Sequence, residues 1–340
     1  MSFLQNQELM GELRKIAIGV CTRGRPEGLM ALLTSFVPLK IPDGYVPVFI
    51  IIENDAAKSL QSIVDDFAKE RSDGEIMYDN EPRLGIPFAR NAILHAALQN
   101  ECDFLAMADD DEVVDSHWLI ALKDELSARN LDLVGGPVRI LPIPSEASQI
   151  QRWIWRGLVH RFAKLEARAL KKHCNGEDHR VVIVTSSWLV SLDFVRAHDL
   201  RFDDSLGFSG GSDTRFYRQF IACQGRSGWA PKAIVHEQWP LSRLQPRYQF
   251  CRARDQSMSH FRNSFPATTL AVVIQSIFFV GFKFTSALFL FPLSILDHGK
   301  SSVHALRALG FAVGRTLALF GAKSRQYANV SPITAAIHKR

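Results

Sequence analysis

A chain of 340 residues with 47% hydrophobic and 22% charged residues is long enough for one large domain or two modest ones, and its composition excludes disorder, collagen-like repetition and a disulfide-stapled miniprotein. The net charge of +5 is unevenly distributed: residues 240–340 carry thirteen Lys or Arg against Asp255 and Asp297, whereas residues 1–239 carry 27 basic and 33 acidic residues. A basic tail beside an apolar stretch points to an anionic membrane face, and no zinc-finger, basic-zipper or RNP pattern supports nucleic acid as the partner.

Met1–Lys15 is polar and has no apolar h-region, so no export signal is expected. The first buried strand is Ile16–Cys21, which stops at the loop Thr22-Arg23-Gly24-Arg25-Pro26 before a helix over Glu27–Phe36. A second strand, Val46–Ile52, ends in Glu53-Asn54-Asp55, and Leu60, Ile63, Val64 and Phe67 have helical spacing within Ala57–Arg71. The unit then repeats as a short strand Glu75–Tyr78, a helix Ala89–Gln99, and a strand Asp103–Ala108 that runs into Asp109-Asp110-Asp111-Glu112. Strand, loop and helix in alternation predict an α/β fold with a mostly parallel sheet, whose ligands sit beyond the carboxyl ends of the strands. Each polar cluster just named falls at such an end.

Past Gly135-Gly136-Pro137 the pattern becomes irregular, with Trp153, Trp155, a basic stretch at Lys171-Lys172 and an apolar run Val181–Val184, before the loop from Phe202 to Asp213. The acceptor half of the site is expected there. Ala267–Leu296 holds one charge, Lys283, but Gln275 and Pro292 also interrupt it. Its thirty residues exceed the ~20 that cross a bilayer. Ser302–Phe320, with Arg307 and Arg315, reads as an amphipathic helix lying in the interface; the alternative is that both segments are core helices. The five cysteines, Cys21, Cys102, Cys174, Cys223 and Cys251, include no C-x-x-C pair and read as free thiols in a reducing compartment.

Asp109 and Asp111, alternate residues of an extended chain, are placed to present oxygen ligands to a hard divalent cation and a bound diphosphate. An N-cap at Asp111 or Asp115 and a solvated acidic turn are the structural alternatives. The order of the pieces, Val20-Cys21-Thr22-Arg23-Gly24-Arg25-Pro26, Glu53-Asn54-Asp55, Gly85-Ile86-Pro87-Phe88-Ala89-Arg90-Asn91 and the D-x-D, resembles the family 2 glycosyltransferases with the GT-A fold over Lys15–Arg254. It is most similar to the bacterial exopolysaccharide enzymes of the succinoglycan type, which have Gly-Gly-Ser-Asp-Thr, here residues 210–214, where others have Gly-Glu-Asp.

The resemblance implies a GT-A, Rossmann-like domain followed by a helical membrane-associated segment, and it implies site residues position by position. Thr22 and Arg23 would lie near the nucleotide; Glu53, followed by Asn54 where the family has a second Asp, would meet the base or ribose. Arg90 and Asn91 would contact the donor, Arg90 through its planar fork. Asp109 and Asp110 would join the donor site, and Asp109, Asp111 and the late His236 would hold Mn2+ or Mg2+. Asp213 would be the base that takes the acceptor hydroxyl's proton, with Ser212 replacing the family's Glu; an N-cap role for Asp213 before a helix Thr214–Ala222 is compatible with this. Trp153, Trp155, Trp188 and Trp229 are candidate sugar platforms or core residues, and Arg243, Arg247 and Arg252 are candidate phosphate contacts or a solvated face.

The expected organisation is a lead-in over residues 1–14, a nucleotide-sugar half over 15–137, an acceptor and catalytic half over 138–262 and a membrane-associating tail over 263–340. The expected function is an inverting, metal-dependent transfer of sugar from a nucleotide-diphosphate sugar, a UDP-sugar, to a lipid-linked oligosaccharide at the cytoplasmic face of the bacterial inner membrane. The rival readings are a sugar-1-phosphate nucleotidyltransferase, whose glycine-rich first loop Thr22–Pro26 lacks, and a non-catalytic membrane-bound nucleotide or sugar binder.

Overall fold

The computed structural model describes residues 14–207, 211–265 and 267–322. The chain forms two compact units: the first gathers Met1–Val138, Ala169–Asp204 and Ser212–Val235, the second Arg139–Arg168, Ser205–Gly211 and His236–Arg340.

In chain order the elements are β1 (Arg14–Thr22), α1 (Pro26–Phe36), β2 (Tyr45–Glu53), α2 (Gln61–Glu70), β3 (Glu75–Asn80), α3 (Ile86–Gln99), β4 (Phe104–Asp109), β5 (Glu112–Val114), α4 (Trp118–Ala128), β6 (Leu133–Gly135), β7 (Val138–Ile140) and α5 (Gln149–Cys174). Then come β8 (Trp188–Ser191), α6 (Leu192–Ala197), α7 (Ser212–Ala222), β9 (Ser227–Trp229), β10 (Val235–Glu237), α8 (Pro246–Ser264), α9 (Leu270–Leu296) and α10 (Ser302–Leu319).

The first unit is built on a seven-stranded sheet of order β3-β2-β1-β4-β8-β6-β9. β1, β2 and β4 are apolar along almost their whole length because helices cover both faces of the sheet. Ile16, Ile18 and Val20 of β1 pack with Leu29, Leu32 and Phe36 of α1 and with Trp118 and Leu122 of α4. Ala17 shares the opposite core with Ile93 and Ala97 of α3 and Phe216 and Phe220 of α7. Gly19 lies on this second face, where an added Cβ would overlap Ile93 Cγ2 and stand 3.3 Å from Leu105 Cδ1. Gly19→Ala is therefore expected to destabilise the unit by about 1–3 kcal/mol, visible as a lower urea midpoint at unchanged slope.

The expected parallel pairing holds for β3, β2, β1 and β4, and β6 runs parallel to β9. β8 runs antiparallel to both β4 and β6. Two helices differ in extent from their expected spans. α2 begins at Gln61 because Ser59 and Leu60 are held in the preceding loop by Glu53 and Tyr78. α3 begins at Ile86, three residues before Ala89: Gly85 supplies the turn at φ 142° and Pro87 sits in the first turn, where its missing N–H costs nothing. The stretch that reads as irregular contains the 26-residue α5, whose basic and aromatic residues blur its periodicity. Val181–Val184 is not a strand; Val181 and Ile183 are buried in a loop before β8.

In the second unit, Ile154, Leu158, Trp239, Leu244 and Val303 form one small core. α10, read as an amphipathic helix, packs against α8. An added Cβ at Gly310 would stand 2.5 Å from Phe250 O, and one at Gly314 2.7 Å from Ser257 Cβ, so both glycines let α10 close on α8. α9 is different. It is 27 residues long, and an 18-residue stretch of it with a mean hydropathy of 1.8 is only 11% buried, with Leu270, Phe278, Phe289 and Leu296 all more than 70% exposed. It is long and apolar enough to cross a membrane and is hardly covered by protein. All five cysteines are free thiols.

Candidate functional site

The site lies where β1, β2 and β4 end. Parallel pairing sets Glu53 opposite Thr22 and Asp109 opposite Cys21, so the three strands finish at one edge. Chain connectivity alone dictates this, because each strand returns through a helix and restarts at the far edge.

Asp110 is the anchor of the acidic run. It is 6% exposed, accepts from Thr22 Oγ1 at 2.9 Å and from Arg25 Nη1 at 2.7 Å. The same Arg25 nitrogen reaches Asp111 Oδ2 at 3.0 Å. Burial pushes the Asp110 carboxyl up to about 6, against the pull of Arg25; the two carboxylates in turn hold the Arg25 guanidinium in its charged form despite the burial that opposes it. Gly28 completes the contact, since a Cβ there would overlap Asp110 O. Arg25 and Gly28 belong to the first loop and helix, and sequence reading assigned neither a site role. The Asp111 and Asp115 capping alternatives do not hold: α4 is preceded by His117 at its N-cap position, with no side-chain cap.

Asp109 keeps 39% of its side chain accessible, and its backbone N–H donates to the buried Glu112 Oε2 at 2.9 Å. Burial at the strand end raises its carboxyl, with Arg90 opposing the rise and Asp111 and Asp213 adding to it; the accessible part of the side chain limits that shift. Arg90, 7% exposed on α3, donates to Ser212 Oγ at 2.9 Å and approaches Asp109 Oδ1 at 3.5 Å. One guanidinium thus ties the end of β4 to the first turn of α7, which follows it by more than a hundred residues.

α7 begins at Ser212, so Asp213 stands inside its first turn and is not the N-cap. Its Oδ1 accepts the Thr214 N–H at 2.8 Å, and a carboxylate is favoured at this end of the helix dipole. Gly210 lies outside the described residues.

The remaining candidates are largely engaged within the protein. Glu53, 1% exposed, accepts from Ser59 N at 2.8 Å, from the Ser59 hydroxyl and from Tyr78 OH. Asn54 donates to Glu81 O at 3.0 Å and Arg83 O at 2.8 Å and accepts from Gly85 N at 2.8 Å. Asn91 donates to Phe202 O and Asp204 Oδ1 and accepts from Phe202 N. These three side chains set the shape of the loops around the cleft. Arg23 is half-buried in the loop after β1. Trp188 and Trp229 are core residues at 1% and 8% exposure; Trp153 and Trp155 lie on α5, Trp155 donating to Leu141 O at 2.9 Å. His236 is in β10, in the second unit, and Arg247 and Arg252 are on α8 of that unit.

Asp109 and Asp111 offer carboxylate oxygens at the end of β4, a donor chemistry that fits a hard cation such as Mn2+ or Mg2+. A second group of possible ligands was not expected. Glu125, His173 and Asp178 bring ligand atoms within 4.8 Å of one another, but Arg129 pairs with Glu125 at 3.1 Å and with Asp178. A fixed guanidinium already balances those carboxylates, and the group reads as an ion-pair network.

No protein-family model matches the chain. The succinoglycan biosynthesis protein ExoM of Rhizobium meliloti (strain 1021) is 33% identical over 236 residues, which is 68% of this chain and 69% of that protein. Among solved structures, S. aureus TarS 1–349 in complex with UDP-GlcNAc is 12% identical, with 90% of this chain and 92% of that one covered at a TM-score of 0.49. The mannosyltransferase PcManGT from Pyrobaculum calidifontis, in complex with GDP-Man and Mn2+, is 13% identical, with 92% and 77% covered at a TM-score of 0.48. Structural likenesses at this level carry no argument about this chain.

Proposed function

Since the chain belongs to the GT-A glycosyltransferase family of the succinoglycan biosynthesis protein ExoM, and is thereby a glycosyltransferase of exopolysaccharide biosynthesis, we propose that it transfers a sugar with inversion from a UDP-sugar to a lipid-linked oligosaccharide. The observation that carries this reading is the convergence of Asp109, Arg90 and the first turn of α7 at the carboxyl edge of the sheet.

In this reading Asp213 receives the proton of the acceptor hydroxyl as the new glycosidic oxygen–carbon bond forms. A single base acting opposite the leaving nucleotide implies one displacement and inversion at the anomeric carbon. Asp109 and Asp111 would hold a divalent cation, whose charge would offset that of the departing diphosphate. Arg90 positions: its link to Ser212 keeps α7, and so Asp213, in register with the end of β4. Arg25 balances Asp110 and Asp111, and with Thr22 keeps the acidic loop in one conformation. Glu53, Asn54 and Asn91 act on the donor through the loops they brace, and Arg23 is assigned to the nucleotide on the family pattern alone.

The exposed apolar α9 supports a membrane-bound enzyme, for which a lipid-linked acceptor is the matching substrate. A basic tail suits the anionic cytoplasmic leaflet. The test is transfer of label from UDP-sugars into the organic-extractable fraction of a bacterial membrane extract by the full chain in mild detergent. The product is expected to carry the anomeric configuration opposite to the donor, read by coupling constants in proton NMR. Retained configuration would overturn the single-displacement reading.

A further inference from the structure

In the second unit, α8, α9 and α10 border a half-open cavity of about 160 Å³ lined by Ser257, His260, Phe279, Lys283, Phe311 and Arg315. None of these six residues is acidic. Arg315 is only 6% exposed, and among the described residues its Nε has no hydrogen-bond partner. Its guanidinium lies over the rings of Phe261, Phe265 and Phe279, the last at 4.6 Å from the centroid. Lys283 approaches the cavity from α9, with its ammonium 5.6 Å from the Phe279 centroid and 5.8 Å from that of Phe311. Aromatic faces offset part of a cation's charge but accept none of its hydrogen bonds geometrically as an oxyanion does. Two cations facing one cavity without a carboxylate are complementary to an anion.

The surroundings identify what kind of anion. Lys283 stands among Phe282, Phe284 and Leu288, which are 68%, 59% and 63% exposed, on the helix least covered by protein. An anion arriving along this surface comes attached to hydrocarbon. The cavity is several times the ~30 Å³ that a water molecule occupies, which leaves room for a tetrahedral phosphate. Ser257 already donates to Phe311 O at 2.9 Å, so the hydrogen bonds to the anion come from the cations.

We propose that this cavity binds the phosphate group of a membrane lipid, held between Arg315 and Lys283. The site lies outside the transfer machinery and its test reads binding alone, so failure of the transfer reading and failure of this one are distinguishable.

The test is calorimetric titration of the full chain in neutral maltoside micelles with a short-chain phosphatidic acid, with the matching diacylglycerol and inorganic phosphate as parallel probes. Saturable binding of phosphatidic acid is expected, with no heat from diacylglycerol. Lys283→Gln and Arg315→Gln should each weaken it about fivefold or more, the effect of one basic residue at an anionic surface. The double variant Arg262→Gln/Lys300→Gln removes two exposed charges of the same unit and should bind as the parent does. Should Arg315→Gln fail to fold, Lys283→Gln on the half-buried face of α9 carries the test alone. Equal binding by the cavity variants and the parent overturns the proposal, as does equal weakening by the surface pair, which would mean diffuse charge. Inorganic phosphate binding as tightly as phosphatidic acid would assign the site to a free anion and overturn the lipid.

Discussion

Asp213→Asn is expected to lower kcat by about 10²–10⁴-fold while leaving nucleotide binding within about twofold of the parent. An alcohol does not attack an anomeric carbon at a useful rate unless its proton is accepted as the bond forms, and an amide cannot accept it. The substitution is nearly isosteric, and the Asn oxygen can still accept the Thr214 N–H that Asp213 Oδ1 accepts at 2.8 Å. The helix loses a favourable carboxylate–dipole interaction of only about 0.5 kcal/mol, so α7 and the Arg90–Ser212 link should persist. Circular dichroism and calorimetric titration with UDP would establish that the variant is folded and binds. Full turnover in a variant that folds and binds would place the base elsewhere. A loss of both turnover and nucleotide binding would assign Asp213 to the donor side of the cleft.

Asp111→Ala should abolish the Mn2+-dependent part of UDP affinity, a loss of at least about 100-fold or ~2.7 kcal/mol. Removing one of two carboxylates from a hard-cation site leaves too few anionic oxygens to hold the metal against water. The local fold should survive, because Arg25 keeps its 2.7 Å bond to Asp110 and Asp110 keeps its bond to Thr22. Asp110→Ala makes the contrast: it would leave the buried Thr22 hydroxyl without its acceptor and Arg25 with Asp111 alone, so a thermal shift, and not a purely metal-linked effect, is expected there. The check for Asp111→Ala is a titration of full-length protein with UDP, run with and without Mn2+. Unchanged metal dependence would remove Asp111 from the cation site. Binding of another nucleoside diphosphate, and not UDP, would preserve the site and change the donor.

Much of the first unit is legible in the chain itself. Ile16–Cys21, Val46–Ile52 and Asp103–Ala108 are short apolar runs, each followed by a polar cluster and then a helical pattern, and the structure makes each of them a buried strand. That is enough to bring Thr22, Glu53 and Asp109 to one edge, since parallel strands joined by helices all finish on the same side. The order of β8 could not be read this way: four residues that run antiparallel to both neighbours carry no periodic signal of their direction. α5 was hidden for a similar reason, its 26 residues lacking a clean apolar stripe.

The division between sequence and tertiary structure follows from the range of the forces involved. Hydrophobic period and turn chemistry act over a few residues, so they determine strands, helices and the loops that carry Thr22, Asp109–Asp111 and Asp213. Pairing acts through space. Only the fold decides that Arg90 meets Ser212, 122 positions away, that Arg25 clamps Asp110 and Asp111, and that Glu53, Asn54 and Asn91 use their polar atoms within the protein. The two apolar segments of the tail make the same point. Both read as helices that need an apolar cover, but the pattern does not say which cover. Gly310 and Gly314 let α10 close on α8, so protein supplies it; α9 packs along α10 on one side, and among the described residues its Phe278, Phe282, Phe284 and Phe289 remain exposed.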